Sequence, residues 1–357
     1  MEIGIILGNF PGGGAEKQAL RFAKHSSRQG NLTKLIAYQN GSNFEVDGVS
    51  VIGLDRKINF FEQSYVLRQF LRIREYQFLG NQLGNFNCDV FVVFNPCFLP
   101  MSWFKGDNRM VFFSRGFDKW ALKFPFAQMI KKYDLVASNN FPGYSAFKNY
   151  GISCEFIPNI VFEDPSEIVR DFPIVKNKRY LLVSNISKIK NIGLAIDAFE
   201  ILAPDGFRLA IAGKLNGPFA ERLFEKTRRL PFVDYLGYLS EEQLREEYAK
   251  SEGVIHPSSR EGTPNAILEA IKYGKPVIAS HIPEHAYLLG DRPEILFDPH
   301  NPKEAAMKLQ TLHNEISLNS SKIREGIRYL QDRLEESYSP ENASTFLTLL
   351  QKLSFNC

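Results

Sequence analysis

Cysteine is scarce in this chain. Cys88, Cys97, Cys154 and Cys357 lie far apart, form no CxxC pair and have no neighbouring histidines. That spacing excludes a disulfide scaffold and a cysteine-based zinc site, and a reduced cytoplasmic setting is expected. Long apolar runs are also missing. No run approaches the roughly 20 residues needed to span a bilayer, so no membrane-spanning helix is expected. Ile3–Leu7 is short, follows an acidic Glu2 and leads into glycines, which suits a first β-strand better than a signal peptide. There is no Asp-x-Asp, and the carboxylates are not clustered as oxygen ligands for Mg²⁺ or Mn²⁺. No metal and no other cofactor is therefore expected. The G-x-G-x-x-G spacing of dinucleotide folds is absent, which argues against a dehydrogenase. Neither a short repeat nor a low-complexity tract occurs.

What is present describes a globular protein. The 357 residues are 44% hydrophobic and 23% charged, enough for two cores of ordinary domain size. The net charge of +3 hides an asymmetry. Residues 1–160 hold 18 Lys+Arg against 12 Asp+Glu, whereas the remainder is slightly acidic. In the basic half, Arg56, Lys57, Arg68, Arg72 and Arg74 alternate with Phe60, Phe61, Tyr65, Phe70 and Tyr76. This pattern suits either an amphipathic helix with a solvated basic side or a peripheral contact with an anionic membrane. No recognised motif accompanies the charge, so nucleic acid is not an expected partner.

Short apolar runs alternate with helical patterns as far as residue 297, the signature of βα units on parallel sheets. Strands are expected at Ile3–Leu7, Leu32–Tyr38, Val49–Ile52, Val90–Phe94, Met110–Phe113 and Leu135–Ser138. Helices are expected at Ala15–Arg28, Gln63–Leu79 and Pro142–Tyr150. Residues 158–178, rich in proline and charge, read as a linker. A second series follows, with strands at Tyr180–Val183, Phe207–Ala212, Val233–Leu236, Val254–Ile255, Val277–Ala279 and Ile295–Phe297. The remainder is helical. This gives an α/β chain of two Rossmann-like doubly wound domains, residues 1–160 and 161–338, with a last helix in 339–357. Such sheets bind ligands outside the carboxyl ends of their strands, so the two domains are expected to face a central cleft.

The most informative loop follows Val254–Ile255 and contains EGTPNAILE, from Glu261 to Glu269. Thr263 suits an N-cap and Pro264 the first helical position. Ile267, Ala270 and Ile271 form a buried stripe, and Gly274 ends the helix. The N–H groups of the first turn, from Thr263 through Asn265 to Ala266, make an anion site for a diphosphate. An ionised carboxylate only accepts hydrogen bonds, so beside a diphosphate it is useful for gripping hydroxyls. Glu261 is accordingly assigned to the sugar and Glu269 to the ribose of a sugar nucleotide.

The Glu pair, with Gly262 and Gly274 and the Gly-Lys-Pro-Val segment that follows, resembles the signature of retaining glycosyltransferases of family 4. That resemblance implies the GT-B fold and transfer of a hexose or N-acetylhexosamine from a nucleotide sugar, UDP-linked, to a saccharide or lipid-linked acceptor. The last helix would then pack back on the N-terminal domain. The family carries an Arg and, five residues on, a Lys that hold the donor diphosphate. In VSNISKIKN these positions are Asn185 and Lys190, so one charge is missing; Lys188 either compensates or is solvated. Gly213 matches a glycine passing close to the nucleotide, and Gly12, Gly13 and Gly14 resemble a loop facing the donor phosphates. The side chains around Glu261 and Asn9 would select the sugar.

Where relatives have a His near the reacting carbon, this chain has VFFSRGFDKW. Arg115 there either binds an anionic acceptor or pairs with Asp118. No catalytic His is carried over. Two other functions fit the same features less completely: a sugar-nucleotide binding protein without turnover, and a GT-B-type epimerase or phosphorylase.

Overall fold

The computed structural model describes all residues except 9, 11–13, 40–41, 57–72, 95, 116–121, 216, 319–320 and 356–357. The chain divides into two compact units. One comprises Met1–Ile160 with Ser339–Cys357, the other Val161–Tyr338.

In the first unit, runs such as EIGIIL and VFVV have too many β-branched residues and too few polar ones for a solvated face. They form strands covered on both sides, the condition of a parallel sheet. The strands are β1 (Glu2–Leu7), β2 (Leu32–Ala37), β3 (Phe44–Val46), β4 (Val49–Gly53), β5 (Val90–Val93), β6 (Met110–Ser114), β7 (Leu135–Ser138) and β8 (Glu155–Phe156). Their order is β3-β4-β2-β1-β5-β6-β7-β8, and only the β3–β4 pair is antiparallel. Helices α1 (Gly14–Arg28), α2 (Ile73–Gln82), α3 (Phe126–Ile130) and α4 (Phe141–Asn149) connect them. Asn140 caps α4 by accepting from the Gly143 N–H at 2.7 Å.

The second unit repeats the scheme. Its strands are β9 (Arg179–Val183), β10 (Arg208–Ala212), β11 (Val233–Gly237), β12 (Gly253–His256), β13 (Val277–Ser280) and β14 (Leu296–Phe297), all parallel, in the order β11-β10-β9-β12-β13-β14. The helices are α5 (Ile192–Leu202), α6 (Pro218–Thr227), α7 (Glu241–Lys250), α8 (Asn265–Lys272), α9 (Pro283–Leu289), α10 (Pro302–Ser317) and α11 (Ser321–Ser337). The last helix, α12 (Glu341–Phe355), belongs to the first unit. There Ala343, Phe346, Leu347 and Leu350 join the core formed by β1, β5 and α1. Phe346 packs on Phe22 and Phe113 with centroids 5.2 and 5.1 Å apart.

The structure bears on three parts of the sequence reading, and corrects the first. Residues 158–178 are not a loose linker. Val161, Phe162, Ile168 and Phe172 are buried in the second unit, and a capping box at Asp164–Glu167 fixes a 3₁₀ turn. Irregular spacing of these apolar residues hides their burial from any periodicity. In the basic stretch, Tyr76 is a core residue, and Arg56 pairs with Glu75 at 3.3 Å while lying 4.2 Å over the Phe78 ring. The other aromatic and basic residues of that stretch lie outside the described residues, apart from Arg74. Lastly, strands β3 and β8 lack any alternating pattern long enough to mark them. Among the described residues no helix is long and apolar enough to cross a membrane.

Candidate functional site

The second sheet is wound outward twice from its middle. The chain runs from β9 to β10 and β11, then crosses to β12 and continues through β13 to β14, so the winding reverses between β9 and β12. These two strands are parallel neighbours, with Tyr180 opposite Gly253 and Leu181 opposite Val254. At such a switch point the loops leaving the two carboxyl ends diverge and open a crevice. The loop after β9 carries Asn185, Lys188 and Lys190. The loop after β12 carries Glu261 to Thr263.

Both loops converge on one ion pair. Lys190 closes a short 3₁₀ turn, Lys188–Lys190, whose end is set by Asn191 in the left-handed conformation. The turn is tied to the other loop because the Ser259 N–H donates to the Ile189 carbonyl at 2.8 Å. The Lys190 ammonium then lies 2.7 Å from both oxygens of Glu261, whose side chain is 6% exposed. From the other side His256, the last residue of β12, places Nε2 at 2.8 Å from Glu261 Oε1. Burial alone would raise the Glu261 pKa. The hydrogen bond and charge of His256 and the nearby Lys190 outweigh it and hold the carboxyl well below the usual carboxylate range.

A carboxylate only accepts, so His256 must carry its proton on Nε2 to make this bond. His256 Nδ1 and His285 Nε2 are buried without a hydrogen-bond partner, and the two rings meet edge to face at 5.2 Å. His285 is anchored through Nδ1 to the Ser280 carbonyl at 2.8 Å. Burial, aided by His256, pulls the His285 pKa down to about 3. The folded protein thus keeps this imidazole neutral in a pH range where the unfolded chain, near 6.5, takes up a proton. Stability from this group is complete above about pH 6.5 and is lost as pH falls toward 3, with a limiting slope of about 1.4 kcal/mol per pH unit for one proton. Replacing His285 by Asn should flatten the urea-midpoint curve between pH 6.5 and 4; an unchanged acid slope would assign that slope to other groups.

His256, Glu261 and His285 offer ligand atoms that all lie within 4.8 Å of one another, a group able to hold a cation by donor type and spacing. The Lys190 ammonium already occupies both Glu261 oxygens, so a metal ion would have to displace it. Sequence reasoning missed both histidines. Their only signal was position, one at the carboxyl end of a strand five residues before Glu261, the other in the helix after β13.

The remaining expected donor residues are arranged as follows. Gly213 follows β10 with φ of +154°, and a Cβ there would sit 1.9 Å from the Ser184 carbonyl oxygen. This glycine is needed for packing against the β9 loop. Asn185 is exposed, and its Oδ1 accepts from the Lys214 N–H at 3.3 Å. Helix α8 begins at Asn265, one residue later than expected, with Pro264 rather than Thr263 at the cap. Pro264, with ψ of 80°, stands at the cap without a side-chain hydrogen bond to the first turn. The Asn265 N–H donates to the Thr263 carbonyl at 2.9 Å, so it is engaged locally, contrary to its expected part in an anion site. Gly262 joins Glu261 to this turn. Glu269, half-buried one turn into α8, is 3.5 Å from the Tyr248 hydroxyl.

In the first unit Gly14 is the first residue of α1, while Gly12, Gly13, Asn9 and Asp118 lie outside the described residues. Arg115 follows β6 directly; its guanidinium carbon lies 5.3 and 5.8 Å from the centroids of Phe94 and Phe113, and its Nε is buried without a partner.

The family of glycosyl transferases group 1 matches residues 166–327. The amylovoran biosynthesis glycosyltransferase AmsD of Erwinia amylovora is 32% identical over 105 residues, which cover 29% of each chain. The O-antigen chain mannosyltransferase B of Escherichia coli is 27% identical over 173 residues, 46% of this chain and 44% of that protein. The matches thus span less than half the length of these relatives. Among solved structures, a sucrose-phosphate synthase from Thermosynechococcus elongatus superposes with a TM-score of 0.78 over 99% of both chains at 15% identity. The chain therefore has the GT-B fold, and the segment that holds Lys190 and Glu261 is similar to the glycosyl transferases of group 1.

Proposed function

We propose that the protein is a retaining glycosyltransferase of the family 4 type. It moves a hexose or N-acetylhexosamine from a nucleotide sugar, UDP-linked by the family resemblance, to a saccharide or lipid-linked acceptor in polysaccharide synthesis. The observation that carries the proposal is the buried Glu261 held by Lys190 where the second sheet reverses its winding. Both residues fall within the segment similar to known glycosyltransferases, and both named relatives act in sugar transfer.

The geometry suggests how a donor is received. An incoming diphosphate competes with Glu261 for the Lys190 ammonium. When Lys190 turns to the phosphates, Glu261 keeps its bond to His256 and frees lone pairs for sugar hydroxyls. Lys190 then faces the charge that develops as the anomeric C–O bond breaks. The electron pair of that bond goes to the departing diphosphate. The acceptor hydroxyl oxygen bonds the anomeric carbon on the same side, and its proton passes to a donor phosphate oxygen. Here His256 only holds Glu261 in place and takes no part in the proton transfer. On this scheme Glu269 holds the ribose.

The test is NMR of the product formed from an α-linked nucleotide sugar, after a panel of UDP- and GDP-sugars has identified the donor. The expected product is α-linked. A β-linked product would reject retention, and release of no nucleotide with any donor and acceptor would reject the transferase assignment.

A further inference from the structure

Among the described residues of the first unit, Arg115 is a guanidinium at the end of a strand without a hydrogen-bonded carboxylate. It is only partly exposed, and its Nε is buried and unpartnered. Among the described residues no carboxylate lies within salt-bridge distance of it. Arginines are rarely buried without a partner, because desolvating a guanidinium costs several kcal/mol unless an anion or hydrogen bonds offset it. Two ring contacts offset part of that. Phe94 and Phe113 are stacked, with centroids 4.7 Å apart and an interplanar angle of 9°, and the guanidinium sits near both. At these distances such contacts recover only part of the cost of desolvation. Burial lowers the Arg115 pKa to about 10, against the influence of Glu16, so the group stays charged at neutral pH.

Among the described residues, the surroundings give the guanidinium a cavity but no acceptor. Arg115, Phe94 and Phe113 line a cavity together with Gln18, Asn159 and Phe346. The neighbouring polar groups are committed elsewhere. Gln18 donates to the Ile160 carbonyl at 2.9 Å and accepts from its N–H at 3.0 Å. Asn159 Oδ1 accepts from Asn139 at 2.9 Å. None of these bonds turns an acceptor toward the guanidinium. The cavity thus has flat aromatic walls, fixed amides and one charged planar fork, a combination that matches a carboxylate or phosphate taken edge-on.

We propose that Arg115 anchors an oxyanion site in the first unit, which takes the carboxylate or phosphate group of a sugar or lipid-linked acceptor. That the anion belongs to an acceptor rests on the transferase assignment above; that an oxyanion binds at Arg115 does not.

Binding is measured by titration calorimetry on the full chain with inorganic phosphate, with a hexose 6-phosphate, with glucuronate, and with vesicles carrying a phosphorylated isoprenoid. The same titrations use Arg115→Lys, Arg115→Met and Asp118→Asn. Saturable binding of at least one probe is expected, weakened about tenfold or more in Arg115→Met and less in Arg115→Lys, which keeps charge but loses the fork. Asp118→Asn should bind as well as the parent or better. The soluble and vesicle arms tell a free sugar acid from a lipid phosphate.

No saturable binding of any probe, or affinity unchanged in Arg115→Met, would overturn the site. So would loss of thermal stability in Asp118→Asn matching that in Arg115→Met, because Asp118 would then be the counter-charge. A nucleotide-sugar titration in the same preparations keeps the two proposals apart. Donor binding without phosphate or carboxylate binding defeats this site alone, and the reverse defeats the donor assignment alone.

Discussion

Lys190→Ala is expected to lower kcat/KM for the nucleotide sugar about 10²- to 10³-fold, the usual cost of removing one preorganised group that faces developing charge. The substitution also leaves Glu261 buried with only His256 beside it. Stripping one partner from a fully buried pair costs about 3–5 kcal/mol. Here Lys190 is 23% exposed and His256 remains, so about 1–3 kcal/mol is expected from urea unfolding. Catalysis and stability separate in a double-mutant cycle. Lys190→Met with Glu261→Gln removes both charges, and much of the lost stability should return while activity stays low. If the double variant regained activity, the pair would be a structural bridge. If Lys190→Ala alone left kcat/KM within threefold of the parent, the donor assignment would fail.

Gly213→Ala should be the most damaging single methyl in the second unit. The new Cβ would fall 1.9 Å from the Ser184 oxygen, 2.5 Å from its carbonyl carbon and 3.1 Å from the Asn185 nitrogen, all of them backbone. No side chain can rotate away. The carboxyl end of β9 has to move, and the residue is forced into a conformation that costs L-residues about 1–2 kcal/mol in itself. A loss of about 3–4 kcal/mol is expected, large for a surface loop. Because Ser184 and Asn185 begin the loop that ends in Lys190, the KM for donor should rise as well. Gly206 supplies the control. It also has positive φ, +84°, but nothing lies within 4 Å of its added Cβ, so Gly206→Ala should cost only about 1 kcal/mol and leave KM unchanged. Equal losses in the two variants would mean that close approach to Ser184 does not matter.

Much of this site could be read in the chain before its structure. Glu261, Lys190 and Gly213 carry chemistry or backbone constraints that few other residue types satisfy, and the long apolar runs of β1, β5 and β6 identify themselves. What escaped was set by context. His256 and His285 acquire meaning only once adjacent strands bring their loops together. Thr263 has the chemistry of a cap, yet the backbone at Pro264 is not helical and the helix starts one residue beyond it. Val161, Phe162, Ile168 and Phe172 are buried through an irregular path, so proline and charge in residues 158–178 outweighed them. The three-residue β3 and two-residue β8 are held by neighbours rather than by their own pattern.

The return of α12 to the first unit sets the order in which the protein can be finished. Residues 161–338 form an insertion, and the Val161 N–H donates to the Tyr338 carbonyl at 3.1 Å, so the two ends of the inserted unit are hydrogen-bonded neighbours. That unit is continuous in the chain and complete as soon as residue 338 has left the ribosome. The unit that begins first closes after the second, because Phe346 and Leu350 are among its innermost residues and are made after residues 161–338. During synthesis the second unit can be folded while the first still waits for α12.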